Sequence, residues 1–216
     1  RRRIVTERFQ QPAHAIAVGC GAEEHGNDQA VAHLLHEIAE HRVAVETFWN
    51  AVLESGDIYK GSYSGLYCVG CEAFKTETEV GEDGTCPLHP TGEIRNVEEE
   101  NYFFRASAYR EDLLNHIQKN PDFVQPESRK HEIVNYIRDH FGDISISRET
   151  KNVDVGIPVP GDDTQRIYVW FDALINYISI PGYMSDEAKF KKWWPADVHL
   201  IGKDILTTHC VYWTTM

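Results

Sequence analysis

The chain has 216 residues, 42% of them apolar and 25% charged, the composition of an ordinary globular protein with length for one sizeable core or a domain carrying a smaller insertion. A formal charge of −13 argues against a general electrostatic grip on nucleic acid. No apolar run reaches the ~18 residues of a membrane-spanning helix, and Arg1-Arg2-Arg3 is followed by no apolar segment of signal-peptide length.

The five cysteines are Cys20, Cys68, Cys71, Cys86 and Cys210. Three cluster and two stand alone, which points to a reducing compartment rather than a secreted disulfide scaffold. No initiator methionine opens the chain, and it stops at Met216 inside a helical pattern, so it is expected to be a piece of a longer protein.

Residues 15–18 are small and apolar, and Gly19-Cys20-Gly21 ends them as it would end a strand. Glu23-Glu24-His25-Gly26 is a compact charged stretch, readable as an acid–base cluster or as a solvated turn. A helix is predicted over about 28–40 from Val31, Leu34, Leu35 and Ile38. His33 and His36 share its face, but with no third ligand at a telling spacing they read as a structural or exposed pair. A second helix follows on Val43, Val45, Phe48, Trp49, Val52 and Leu53, with Gly56 as its left-handed cap.

From Ile58 the pattern changes to short strands and tight turns. Cys68-Val69-Gly70-Cys71 is followed, fourteen residues on, by Cys86-Pro87-Leu88-His89. Each half supplies two ligands from one knuckle turn, and Cys₃His is a tetrahedral zinc set. With all four positions filled by protein, the zinc would be structural and would supply much of the folding free energy of a small lobe. The alternative is three unrelated cysteines and a surface histidine.

An aromatic strand is predicted at Tyr102-Phe103-Phe104-Arg105, then a helix over 109–119 with Leu113, Leu114 and Ile117 inward, stopped by Asn120-Pro121. Pro126-Glu127-Ser128 opens another, running to about Phe141 on Ile133, Val134 and Ile137. Residues 144–148 alternate like a strand and end on Arg148, and 156–161 form a proline-stiffened extended loop. Residues 166–171 read as a buried strand, with Asp172 as N-cap of a helix carrying Ala173, Leu174 and Tyr177. After a polar excursion over 181–195, Val198-His199-Leu200-Ile201 reads as a buried strand ending at Gly202, and a helix follows from Ile205 to Trp213.

Gly202, Lys203 and Asp204 therefore stand at the carboxyl end of a parallel strand, where open α/β sheets bind ligands. Ile205, His209 and Trp213 recur every four residues on the following helix. Trp170, Ala173 and Tyr177 are expected at the same sheet edge, so the two junctions together suggest a pocket for a small, partly apolar ligand. A packed core with a surface Lys–Asp pair is the plainer alternative. No repeat, Walker loop, dinucleotide fingerprint or Ser-His-Asp order is visible.

These motifs together resemble the methionyl-tRNA synthetase family, class I, of the type with one zinc knuckle. The resemblance runs from Gly56-Asp57-Ile58-Tyr59-Lys60-Gly61 to Trp213. It is carried by Tyr67-Cys68-Val69-Gly70-Cys71-Glu72-Ala73-Phe74, Cys86-Pro87-Leu88-His89, Asn101-Tyr102-Phe103-Phe104-Arg105, Asp143-Ile144-Ser145-Ile146-Ser147-Arg148, Tyr168-Val169-Trp170-Phe171-Asp172-Ala173-Leu174 and Val198-His199-Leu200-Ile201-Gly202-Lys203-Asp204-Ile205. It implies an α/β fold: a Rossmann-like parallel-sheet catalytic domain in residues 1–58 and 142–216, interrupted over 59–141 by a connective β and zinc-knuckle insertion.

The implied activity is a ligase reaction. Methionine is activated with ATP and Mg²⁺ to methionyl-adenylate, and the acyl group then passes to tRNA. The resemblance places methionine against Trp170, Ala173, Leu174, Tyr177, Ile205, His209 and Trp213, with Glu23 in place of the family's aspartate at the amino group. It places the adenylate ribose at Gly202 and Asp204, catalytic cations at Arg148 and Lys203, and zinc at Cys68, Cys71, Cys86 and His89. The family's histidine-glycine-histidine turn is missing and its Lys-Met-Ser-Lys-Ser loop lies outside this sequence, so the chain alone is expected to be inactive. A monomer in the cytoplasm, or in a mitochondrial or plastid matrix, is expected. The alternative function is a zinc-stabilised, non-catalytic interaction module on the same scaffold. A sibling enzyme for leucine, isoleucine or valine would need an editing insertion that the connection from Tyr59 to Phe141 is too short to hold.

Overall fold

A computed structural model describes residues 15–19, 39–68, 73–75, 80–81, 84–87, 93–153 and 155–216. Three sheets and a set of helices share one buried apolar cluster. The parallel sheet is built from strands distant in sequence. β1 (Ala15–Gly19) lies between β10 (Val198–Gly202) and the short β5 (Val124–Gln125), parallel to both. Its register brings Gly19 opposite Gly202, so two glycines end neighbouring strands at the carboxyl edge.

A second, antiparallel sheet is the body of the predicted insertion. β2 (Ile58–Cys68) and β4 (Ile94–Phe104) pair without a slip from Ile58↔Phe104 to Cys68↔Ile94. β3 (Ala73–Lys75) and β6 (Ile144–Ser145) flank them. A third sheet holds β7 (Ser147–Glu149), β9 (Asp162–Ile167) and β8 (Pro158–Val159), antiparallel in that order.

The helices follow apolar period where that period is clean. α2 (Arg110–Lys119) buries Leu113 and Ile117, and α3 (Glu127–Asp139) buries Ile133 and Ile137, as their spacing predicts. α1 (Ala39–Glu54) is one helix, burying His41, Ala44, Val45, Trp49 and Val52. Gly56 closes it at φ +83°, with the Gly56 amide donating to Leu53 and that of Asp57 to Val52. Of the helix predicted over 28–40 only Ala39 and Glu40 are described, and these belong to α1; His33 and His36 lie outside the described residues.

Five expectations are corrected. The strand predicted over 166–171 ends at Ile167, and α4 (Val169–Leu174) begins two residues later. A run of β-branched and aromatic residues fits either period. Here the Tyr168 amide donates to Ile146 at 2.8 Å and its carbonyl accepts from Phe171 and Asp172, which turns the chain into helix. β9 is also antiparallel, so its end does not share an edge with the parallel β10. Asp172 is not the N-cap: Tyr168 holds that position and Asp172 lies inside α4. Finally, the predicted strand 144–148 is split between two sheets, Ser145 pairing with β4 and Ser147 with β9. After β10 the chain makes a 3-10 turn over Lys203–Ile205 and then a π-helical stretch, Thr208–Trp213, instead of a uniform α-helix.

Trp49 is fully buried, edge-on to Tyr102 of β4 at 5.6 Å and to Phe171 of α4 at 5.2 Å. Among the described residues its Nε1–H has no hydrogen-bond partner. Trp49→Ala is expected to cost about 3–5 kcal/mol in urea unfolding. Trp49→Phe should recover a large part of that, because it also removes a buried unpaired donor worth about 1–3 kcal/mol. Equal losses from both would overturn this account.

The base of the β2–β4 ribbon is tied to β9 through Asp162. Its carboxylate accepts from the Thr164 hydroxyl and amide, from Lys60 Nζ at 3.1 Å and from Tyr102 Oη at 3.1 Å. The Thr164 hydroxyl, with help from Lys60, the Thr164 amide and Tyr102, outweighs burial and lowers the carboxyl to about 2. A carboxyl depressed in the folded state stabilises above its unfolded value and loses that contribution as pH falls through the folded one. An acid titration of stability should therefore lose about 1–2 kcal/mol between roughly pH 4 and 2. Asp162→Asn should remove that component of the acid limb and leave the rest unchanged.

Candidate functional site

The residues singled out at the two helix junctions fall into a buried group and an exposed one. The buried group centres on His209. Its Nδ1 is 2.8 Å from the Ile205 carbonyl and its Nε2 is 2.8 Å from Tyr177 Oη. A carbonyl only accepts, so Nδ1 carries the proton; in the neutral ring Nε2 then accepts from the tyrosine hydroxyl. His209 is 3% exposed, so this geometry is set by the interior. The π-helical winding of Thr208–Trp213 places His209 and Trp213 against Tyr177, with ring centroids 5.5 Å and 5.9 Å away. Single π turns are frequent where a helix presents functional side chains.

Tyr177 stands on α5 (Asn176–Ser179), joined to α4 through Ile175 at φ −67° and ψ −14°. Backbone this close to helical puts Trp170, Ala173 and Tyr177 on one side at i, i+3 and i+7. Trp170 and Ala173 are half-buried and Leu174 is buried. Among the described residues Trp170 makes no ring contact with Tyr177 or His209. Ile205 is half-buried and packs on the same core.

Sequence reasoning passed over two histidines. His199 faces inward on β10, since burial alternates along that strand, and its ring lies edge-on to Tyr177 at 4.6 Å. Alternation alone could have found it. His41 of α1 bonds Asp172 Oδ1 through Nε2 at 2.8 Å and Ser179 Oγ through Nδ1 at 2.7 Å. Nothing local in sequence signals that set. Cys210, beside His209, has its thiol pushed up to about 12 by burial, which makes it a packing residue rather than a nucleophile.

The exposed group stands at the carboxyl edge of the parallel sheet. Lys203 Nζ lies 2.6 Å from Asp204 Oδ1, and both side chains are about half exposed at 54% and 46%. Gly202 precedes them at φ −71°, and among the described residues a Cβ there would meet only Ile205 at 4.0 Å, so neither backbone strain nor packing against those residues demands a glycine.

Arg148 is buried on β7. Its Nη1 donates to Ser145 Oγ at 2.7 Å and to the Ser147 carbonyl at 2.8 Å, and its guanidinium stacks 3.9 Å from the Tyr168 ring centre, just ahead of α4. Its orientation is thus fixed by β7 and Tyr168.

Of the predicted zinc ligands, Cys68 ends β2 and Cys86 lies in an isolated bridge, both fully buried. Cys71 and His89 lie outside the described residues, as does Glu23. Among the described residues no three ligating side chains come together. Two wholly buried thiols fit the softness of zinc. No helix of the described residues is long and apolar enough to cross a membrane.

Comparison with known proteins gives consistent matches. A family profile described as tRNA synthetases class I (M) matches residues 34–97 and 88–216. A methionine–tRNA ligase of Nostoc sp. is 47% identical over 180 residues, covering 82% of this chain and 34% of that protein. The human mitochondrial methionine–tRNA ligase is 38% identical over 216 residues, 97% of this chain and 34% of its own. The structure of Mycobacterium tuberculosis methionyl-tRNA synthetase in complex with methionyl-adenylate matches with a TM-score of 0.74 at 38% identity, over 87% of this chain and 38% of that one. The chain spans about a third of the length of the curated relatives it matches.

Proposed function

This chain belongs to the class I (M) tRNA synthetases, and from that premise we propose that it forms the methionine-recognising part of a methionine–tRNA ligase. The observation that carries the reading is the Tyr177–His209 hydrogen bond set against Trp213, beside the carboxyl edge of a parallel sheet. A thioether is polarisable and gains from aromatic edges. Tyr177, His209 and Trp213 supply such edges, Trp170, Ala173, Leu174 and Ile205 complete the wall, and Glu23 meets the amino group. With the tyrosine proton directed to Nε2, the hydroxyl oxygen is held at a fixed point for the sulfur to meet.

Activation needs charge placed where the carboxylate attacks the α-phosphate. Lys203 and Asp204 form an exposed pair, and such pairs hold by only ~0–1 kcal/mol. They can therefore part at little cost, Lys203 to a phosphate oxygen and Asp204 to the ribose hydroxyls above Gly202. Arg148, with its geometry already fixed, supplies a preorganised cation for the developing charge. ATP and Mg²⁺ serve the activation step, and tRNA takes the acyl group. Zinc on Cys68, Cys71, Cys86 and His89 would hold the tip of the connective ribbon as a structural ion. In this reading residues 1–58 and 142–216 form the catalytic domain and 59–141 the insertion. The protein acts as a monomer in the cytoplasm or in an organellar matrix.

The complete protein should catalyse methionine-dependent exchange of pyrophosphate into ATP. Tyr177→Phe removes the hydroxyl that meets His209 Nε2, and losing one such hydrogen bond, ~1.4 kcal/mol, corresponds to about a tenfold higher KM for methionine. A KM for ATP that stays within about twofold completes the expectation, and an unchanged methionine KM would remove the pair from recognition. Native mass spectrometry should find one zinc per chain, lost on Cys86→Ala with unfolding of the ribbon tip. Full occupancy in that variant would sink the four-ligand assignment.

A further inference from the structure

The described methionine wall is made of very short helices. α4 and α5 have six and four residues. Isolated helices this short do not persist in water, so tertiary anchors must fix them. Those anchors come largely from α1. Phe171 packs on Phe48 and Trp49 with ring centroids 5.9 Å and 5.2 Å away. About two turns toward the start of α1, His41 reaches the same pair of helices through both ring nitrogens.

The bonds of His41 are directional. Asp172 is 4% exposed, and a carboxylate so deeply buried needs a donor. The His41 Nε2–H supplies it at 2.8 Å. In the neutral ring Nδ1 then accepts, so the Ser179 hydroxyl donates to it at 2.7 Å. His41 itself is 2% exposed; its bond to Asp172 is buried and its bond to Ser179 part-buried. Asp172 lies on α4 between Trp170 and Ala173, and Ser179 is the last residue of α5, two beyond Tyr177. One imidazole thus grips both ends of the stretch that bears Ala173, Leu174 and Tyr177, across the junction at Ile175.

We propose that His41 is a positioning residue for methionine recognition: by joining Asp172 to Ser179 it locks the α4–α5 turn and so aims Tyr177 at His209. This rests on the ligase reading above. The Tyr177–His209 bond is 2.8 Å long, and a displacement of under ~1 Å would take it out of bonding range. Without the link to Ser179, α5 keeps its backbone bonds to Ile175 and the Tyr177–His209 bond but loses its directional tie to α1, where the packing that is left is non-directional. The effect falls on the side chain of the amino acid substrate. The nucleotide groups at Gly202, Lys203 and Asp204 stand on a different strand and feel no such pull.

The test uses the complete protein with Ser179→Ala, which removes one arm and leaves the buried charge paired, and Ser179→Thr, which keeps the hydroxyl. His41→Asn is the stronger variant, and circular dichroism establishes that each is folded. Methionine binding is read by calorimetry, the KM for ATP by pyrophosphate exchange, and backbone mobility by amide hydrogen exchange. Ser179→Ala should weaken methionine binding about three- to tenfold, as expected for one lost hydrogen bond, with the ATP KM within about twofold. Residues 169–179 should exchange faster while β4 is unaffected, and Ser179→Thr should restore both values. Unchanged methionine affinity in folded Ser179→Ala overturns the proposal, as does a parallel loss of affinity for methionine and ATP. If the unsubstituted protein binds no methionine, the ligase reading fails and the role of His41 with it. Faster exchange at 169–179 in the variants would then mark the failure as one of function and not of geometry.

Discussion

Trp49 sits where three parts of the molecule meet, and the fold depends on that junction. Its indole has no exposed surface and touches the ribbon strand β4 through Tyr102 and the short helix α4 through Phe171. One residue back, Phe48 reaches Phe171 and Trp213. A large aromatic side chain contributes more buried area than any other single group, and tilted or edge-on rings add orientation that aliphatic contacts lack. α1 is therefore the pillar against which insertion, recognition helices and the final π-helical stretch are set in common register. His41 extends the same logic with polar groups, on the same buried stripe as Val45, Trp49 and Val52.

Parallel pairing supplies a second constraint. β1 and β10 come from opposite ends of the chain, and their alignment puts Gly19 beside Gly202. Parallel neighbours require long crossovers, and the crossover here contains the entire antiparallel ribbon. Such an insertion does not disturb the catalytic sheet, because the ribbon has its own uninterrupted ladder from Ile58 to Cys68 and is anchored at its base by Asp162, Lys60 and Tyr102. Cys68, at the end of β2 away from that base, is fully buried.

The parts legible in sequence were those decided by local period. Leu113 and Ile117, or Ile133 and Ile137, recur at helical spacing, and each pair is buried on its helix. Gly56 was readable because only a left-handed residue closes that turn. Tyr177, His209 and Trp213 come together as the motif resemblance implied, although not by the route expected, since the strand before α4 lies in an antiparallel sheet. What was not legible depends on partners far away. The fate of Tyr168 is set by a carbonyl on residue 146, and Asp172 looked like a helix cap because its true partner stands 131 residues earlier. A helix-capping carboxylate and a carboxylate buried against an imidazole present the same local sequence. The π winding after Ile205 has no compositional signature; it accompanies the packing of His209 on Tyr177 and of Trp213 on Tyr177 and Phe48.

In the function proposed above, the two halves of the site differ in stiffness in the way their tasks would require. Recognition of an uncharged side chain relies on shape, and shape discriminates only if the wall does not yield; His209 is 3% exposed and both of its ring nitrogens are engaged. Handling a phosphate whose charge and position change during reaction requires groups that can exchange partners. Lys203 and Asp204 meet that need because their mutual bond is exposed and weak. Had the pair been buried, freeing Lys203 would strand a carboxylate in a low-dielectric interior at several kcal/mol. Burying the imidazole while leaving the ammonium in water therefore separates specificity from charge handling, on elements joined by a single turn of chain.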